Sequence, residues 1–295
     1  MAAAPTAIAR PLSIGLILAL LLAPAWAPLR ADATTGTKAG TTALISYEIL
    51  ARYPHRTGAF TQGLEVVDDA LYESSGLYRA SFVTRWYLDQ TCDPAPDTAS
   101  ASTACHHKTE LRRHIAPEYF AEGFTVFGDK AFLLTWRSNK GFVLDANTLA
   151  IERSFEYPGE GWGLTHDRES LIMSDGSARL RFLDPTTLRQ QKTLDVTEHG
   201  KPLVYLNELE WIDAGVLAPQ PRLLANIWQT DEIAVIDPQT GVVTARLDLR
   251  KLYPRRRSGE DVMNGIAFDP ADNTLLITGK RWRYLWRIKL QSPLP

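Results

Sequence analysis

Gln62, Glu122, Trp162, Asn207 and Asn264 occupy the same slot in five similar stretches, TQGL, AEGFT, GWGLT, LNELE and NGIA. Together they supply one acid, three amides and an indole. A carboxyl group among indoles is a candidate proton carrier. Apolar surroundings disfavour its charged form, raise its pKa and let it take and return a proton near neutral pH. A second set closes the apolar runs that follow these stretches: Ser75 in ESSG, Trp136 in LLTW, Asp175 in MSDG, Trp228 in ANIW and Lys280 in ITGK. If both sets converge, they build aromatic walls around a few polar groups, which describes a small-molecule pocket.

Convergence requires a repeated scaffold. The slots are separated by 60, 40, 45 and 57 residues, and each opens the same succession of short apolar runs. The second unit reads EGFTVF, AFLLTW, GFVLDANTL; the fourth reads LNELEWI, RLLANIW, EIAVIDPQTG. These runs are rich in Val, Ile, Leu, Phe and Thr and punctuated by Gly, Asp and Pro, as strands are. No stretch carries a convincing helical period. A unit of this length holding three or four strands is the signature of a propeller blade. The expected fold is therefore all-β, a five-bladed β-propeller between about residues 45 and 290. A β-sandwich would not explain the recurring slot. In a propeller the glycine lets inner strands crowd at the axis, and the residue before it faces the channel mouth.

The 295 residues carry a formal net charge of −2, which suggests no nucleic-acid partner. After Arg10 comes an apolar stretch from Leu12 to Pro24 and then small residues, as in a secretory signal peptide. Cleavage is expected after Ala33, or after Ala27, leaving residues 34–295 as one periplasmic or secreted domain with no membrane attachment and, by default, monomeric. Cys92 and Cys105 flank a loop of Pro, Asp, Ser, Thr and Ala. In an oxidising compartment they are expected to form a disulfide worth roughly 3 kcal/mol. A metal site from Cys105, His106 and His107 is the weaker reading, because adjacent side chains in a loop point different ways and no spaced second pair follows.

Taken in order, PHRTGAFTQGL, LYESSGLY, EGFT, LLTW, EGWGLT, MSDGS, LNELE, ANIW, IAVIDP, NGIA and TGK resemble the plant-type glutaminyl-peptide cyclotransferases of plants and bacteria. The resemblance spans nearly the whole chain after the signal segment. It implies a five-bladed propeller that cyclises N-terminal glutaminyl residues of peptides to pyroglutamate, releasing ammonia. It implies Glu122 as general base and then acid, with Asn207 and Lys280 supplying oxyanion donors. Gln62 would hold the substrate's amide or amine, and Phe60, Trp136, Trp162 and Trp228 would surround the glutaminyl side chain. No catalytic metal is expected, although the channel leaves room for a structural divalent ion. Arg56 and Thr57 follow His55 where the family usually has Asp-Pro, which bears on the loop at the mouth. The competing functions are a propeller binding protein and a metal-dependent propeller hydrolase or lyase. The latter should place several Asp, Glu and Asn on the inner ring, where this chain offers one Glu and three Trp.

Overall fold

The computed structural model describes residues 42–88 and 108–295, which form strands and turns with no helix among them. The expected signal peptide and the Cys92–Cys105 disulfide lie outside the described residues.

Two strands come first, β1 (Ala43–Ile45) and β2 (Tyr47–Pro54). Blade one is β3 (Thr61–Val67), β4 (Ala70–Ser75), β5 (Phe82–Tyr87) and β6 (Lys108–His114). Blade two is β7 (Ala121–Phe127), β8 (Lys130–Thr135), β9 (Lys140–Asp145) and β10 (Ile151–Glu156). Blade three is β11 (Leu164–His166), β12 (Leu171–Met173), β13 (Arg179–Leu183) and β14 (Gln190–Asp195). A small hairpin, β15 (Thr197–Glu198) and β16 (Lys201–Pro202), leads to blade four, β17 (Leu206–Ile212), β18 (Arg222–Ile227), β19 (Glu232–Ile236) and β20 (Val243–Asp248). Blade five is β21 (Met263–Asp269), β22 (Thr274–Gly279) and β23 (Tyr284–Leu290). Its fourth strand is β2, antiparallel to β23, and β1 joins blade four beside β20 in parallel. The N-terminal strands therefore fasten the last two blades. The inner strands touch in the cycle β3, β7, β11, β17, β21 and back to β3, so the ring is closed.

Packing explains why the middle strands read as unbroken apolar runs. Successive side chains of a strand point to opposite faces, and here both faces meet another blade. In β8, Ala131 and Leu133 join the cluster shared with blade one, whereas Phe132 and Leu134 join the cluster shared with blade three. Five such clusters occur, one at each blade interface. Burying a Leu of this kind contributes roughly 1.5–3 kcal/mol. The outermost strands lack this two-sided burial: β10 (IERSFE) and β14 (QQKTLD) are almost wholly exposed.

The turns that close the third strands follow from Asp. Asp145, Asp184 and Asp237 each accept, through Oδ1, the backbone N–H two residues on, at 3.1, 3.0 and 2.8 Å. Their carbonyls accept the N–H of Leu149, Leu188 and Gly241 at 2.7–2.8 Å. An Asx turn of this kind is what a short acidic side chain offers the backbone, and it recurs in blades two, three and four.

One buried ion pair spans the seam between blades five and one. His55 donates through Nε2 to Glu73 Oε1 at 3.0 Å, and its Nδ1 lies 2.9 Å from the Trp282 carbonyl. Thr61 Oγ1 donates to the same carboxylate oxygen at 2.7 Å. Burial opposes the charge on His55, but Glu73 outweighs it and holds the imidazole above its ordinary pKa. Burial likewise pushes Glu73 up, and His55 and Thr61 bring it below the usual carboxylate range. An acceptor at each ring nitrogen favours the imidazolium form of His55, and the pair ties the two blades together.

Candidate active site

The recurring slot is a β-bulge. In β3, Thr61 opposes Ser75 and Gly63 opposes Ser74; in β7, Ala121 opposes Thr135 and Phe124 opposes Leu133. In β17, Leu206 opposes Ile227 and Leu209 opposes Ala225; in β21, Met263 opposes Gly279 and Ile266 opposes Ile277. Each skip frees one extra residue on the inner strand, and a bulge re-aims the side chain it frees. The residues in the skips include Gln62, Glu122, Asn207 and Asn264. Trp162 precedes β11, and its N–H donates to the Ser174 carbonyl at 3.0 Å.

The glycine after the slot serves close approach. A Cβ on Gly123 would sit 2.5 Å from the carbonyl carbon of Gly163, and one on Gly163 would sit 2.0 Å from the Asn207 oxygen. Blade four replaces this glycine by Glu208, buried to 1%. Its carboxylate accepts the Ile266 N–H at 2.8 Å and the Leu64 N–H at 3.4 Å, reaching from β17 to both β21 and β3. Burial, with the charge of Glu210, pushes Glu208 well above the ordinary carboxylate pKa.

At the slot end of the ring lies a pocket of 470 Å³. Gln62, Glu122, Trp162 and Asn207 line its base, and Trp136, Trp228 and Lys280, each one residue past a second strand, line its wall. All eight pocket residues expected from sequence are present, Phe60 included. Three members of the two expected sets are not. Asn264 is fully buried behind Gln62, where its Nδ2 donates to the Thr61 carbonyl at 3.0 Å and to Gln62 Oε1 at 3.2 Å. Ser75 is buried and accepts the Phe60 N–H at 2.9 Å. The residue of blade one that matches Trp136, Trp228 and Lys280 is Gly76. Its N–H pairs with the Phe60 carbonyl as theirs pair with those of Phe120, Tyr205 and Val262. Asp175 caps its own turn and ion-pairs with Arg181 at 3.4 Å.

A further ring lines the pocket, of which only Phe60 was expected from sequence. Phe60, Phe120, Glu160, Tyr205 and Val262 all line the pocket, and each stands two residues before a slot residue in its own blade. The repeat register carried that signal. These residues complete an aromatic belt. Phe60 packs edge-on to Phe120 at 6.1 Å and Phe120 tilts against Trp136 at 5.5 Å; Trp162 packs edge-on to Trp228 at 5.4 Å and Trp228 tilts against Tyr205 at 5.8 Å. Glu160 joins the halves by accepting the indole N–H groups of Trp136 at 2.8 Å and Trp162 at 2.9 Å, and that of the Arg137 guanidinium at 2.9 Å. The pocket thus holds three carboxyl groups, Glu122, Glu160 and Asp261, where sequence pointed to one.

Glu122 is buried, and Gln62 Nε2 donates to its Oε1 at 2.9 Å. Ser74 Oγ holds its backbone carbonyl at 2.6 Å. Since Gln62 Oε1 is occupied by Asn264, both ends of the Gln62 amide are engaged, and it orients Glu122. Burial raises the Glu122 pKa well above the ordinary value; Lys280 pulls it down and Glu160 pushes it up. Burial lowers the pKa of Lys280, against the opposing pull of Glu122 and Asp261. Its ammonium lies 5.0 Å from the centre of the Phe60 ring, a cation–π geometry. Burial would also raise Glu160, but hydrogen bonds from Trp162, Arg137 and Trp136 leave it below the usual range and ionised. The Asn207 Oδ1 is buried with no hydrogen-bond partner among the described residues, a group left for a ligand to satisfy. An acid poised to exchange a proton and a cation beside one cavity can carry a reaction that builds and discharges negative charge on a bound oxygen, while the Asn207 Oδ1 can accept an N–H of the ligand.

A family model described as glutamine cyclotransferase matches residues 18–290. The chain is 36% identical over 251 residues to a glutaminyl-peptide cyclotransferase of Arabidopsis thaliana, an alignment covering 83% of this chain and 71% of that protein. Its fold matches the crystal structure of glutaminyl cyclase from Myxococcus xanthus with a TM-score of 0.69 at 28% identity, over 85% of this chain and 98% of the other.

Proposed function

The chain belongs to the glutamine cyclotransferase family, and from that premise we propose how its pocket cyclises N-terminal glutamine. The reaction joins the peptide's α-amine to the δ-carbonyl carbon of its own first side chain and expels ammonia. Ring closure is intramolecular, so proximity is largely built in, and the protein must fold the side chain back and move protons.

The aromatic belt holds the glutaminyl side chain folded. The Glu122 carboxylate takes the proton of the amine as its nitrogen attacks, and the carbonyl π electrons move to oxygen. The Lys280 ammonium and the Nδ2–H of Asn207 stabilise that oxyanion. As the carbonyl re-forms and the C–N bond to the amide breaks, Glu122 returns the proton and ammonia leaves. One carboxyl group serves twice because its pKa lies above the ordinary carboxylate value, closer to working pH. The observation that carries the reading is the placement of Glu122, buried inside the belt with one oxygen fixed by Gln62 and with the Lys280 charge acting on it. These residues act without a metal. Ammonia release from a Gln-initiated dipeptide is therefore expected to proceed at an undiminished rate after exhaustive chelation. Folded protein that released no ammonia, or did so only with a divalent ion restored, would overturn the reading.

Glu160 gives the pH profile a direction. Its charge raises the Glu122 pKa, so Glu160→Gln lowers that pKa toward the ordinary value. The acid limb of kcat/KM, which reports formation of the Glu122 carboxylate, is expected to move to lower pH. Glutamine can still accept an indole N–H, which limits the loss of geometry. An acid limb that stays in place in an active variant would contradict the coupling.

A further inference from the structure

Blade five carries a second concavity, a groove of 870 Å³ between β2 and the loop that precedes β21. Its floor is aromatic and apolar, with Leu50, Tyr253, Tyr284 and Trp286, and its walls carry Arg52, Lys251, Arg255, Arg257 and Arg283. The loop is a built element. The buried Glu260 carboxylate accepts the Tyr253 hydroxyl at 2.9 Å, the Arg257 N–H at 2.5 Å and the Arg283 Nε–H at 3.1 Å. The Tyr253 ring packs edge-on to Trp282 at 5.1 Å, and the Arg256 guanidinium lies 4.6 Å from the same indole while ion-pairing with Asp231. Between these anchors Lys251, Arg255 and Arg257 are exposed and make no ion pair among the described residues.

The groove approaches the rim of the pocket through a second, smaller concavity. This one, of 310 Å³, shares Arg257 and Arg283 with the groove and adds Arg281 and Glu260. Arg281 is exposed, adjoins Lys280 in the chain and lies 5.7 Å from the centre of the Phe60 ring. A cationic track therefore runs from the rim of the pocket, past Arg281 and Arg257, to the aromatic groove.

We propose that this track receives the substrate chain downstream of its N-terminal glutamine and that it favours substrates with acidic residues there. The inference rests on the pocket being the site of cyclisation. A peptide whose first residue is held in the pocket must leave across the rim, and this surface is concave and dominated by cations, with Glu260 engaged by Tyr253 and Arg283. Arg side chains suit carboxylates in particular, because the planar guanidinium can donate two parallel hydrogen bonds. The contacts are exposed, so each is worth little alone and salt weakens all of them. Selectivity comes from several acting together.

The test compares hexapeptides that begin Gln-Phe and continue with four Asp, four Ser or four Lys, alongside a Gln dipeptide as control. At low salt kcat/KM is expected to be about tenfold higher for the Asp peptide than for the Ser peptide, from three or four exposed ion pairs, and lowest for the Lys peptide. The differences should reside in KM and collapse near 0.5 M NaCl. The triple variant Lys251→Ala, Arg255→Ala, Arg257→Ala should lose the preference while turning over the dipeptide at the normal rate. Equal kcat/KM for the three hexapeptides, with normal dipeptide turnover, overturns this proposal and leaves the assignment of the pocket intact. Failure with the dipeptide as well overturns both. A triple variant that keeps the peptide preference but loses binding to anionic phosphatidylglycerol vesicles would overturn the substrate track in favour of a membrane contact.

Discussion

Glu122→Gln is expected to lower kcat by roughly 10²–10⁴-fold, the usual range for removing a general acid–base group, with the protein still folded and still able to bind a Gln peptide. The substitution keeps the shape of the side chain and an oxygen for the Gln62 Nε2 donor. Its effect on stability has a defined sign. Burial raises the folded-state pKa of Glu122 above its unfolded value. Such a group contributes stability below the unfolded pKa and loses it as pH rises through the folded pKa. A neutral amide avoids that loss, so Tm of the variant at pH 8 is expected to equal or exceed that of the parent. The check is ammonia release together with peptide titration and thermal unfolding. A variant with near-normal turnover would place the proton carrier elsewhere.

Lys280→Met carries the second large effect, a fall in kcat of about 10²–10³-fold, as when one oxyanion donor is removed. Methionine fills the space beside Phe60 without charge. Two changes in the residual pH profile distinguish an electrostatic role from a packing one. Lys280 pulls the Glu122 pKa down, so its removal should move the acid limb to higher pH, opposite to Glu160→Gln. Burial lowers the Lys280 pKa, so the parent should lose activity on the alkaline side below the ordinary lysine value, and the variant should lack that limb. A profile of unchanged shape, merely scaled down, would count against the role.

Every slot is legible along the repeat, because each bulge demands the same local residue pattern whatever side chain it presents. That is why Gln62, Glu122, Trp162 and Asn207 were visible without a structure. Asn264 occupies an equivalent slot, yet its amide turns to Thr61 and Gln62, and spacing holds no record of which polar partner wins. Ser75 was off by one residue, since strand pairing ends at Ser75 while the carbonyl of Phe60 is met by the N–H of Gly76. Gly76 has no side chain to announce itself, and a Cβ there would collide with Phe120 at 2.1 Å. Phe120, Glu160, Tyr205 and Val262 stand at a fixed offset before the slot, outside the glycine-centred pattern, and share no residue type that would mark them as a set. The outermost strands were invisible for a different reason. Both faces of β10 and β14 are largely open to water, so their composition lacks the apolar run that marks the strands inside.

Glu208 has one more consequence. Its carboxyl group is carried on β17 and accepts backbone N–H groups of β3 and β21, so one side chain cross-links the inner strands of three blades. Gly63, Gly123 and Gly163 each admit a neighbouring backbone by having no side chain; blade four meets two others through an acceptor instead. Removing that acceptor would leave two buried N–H groups without a partner.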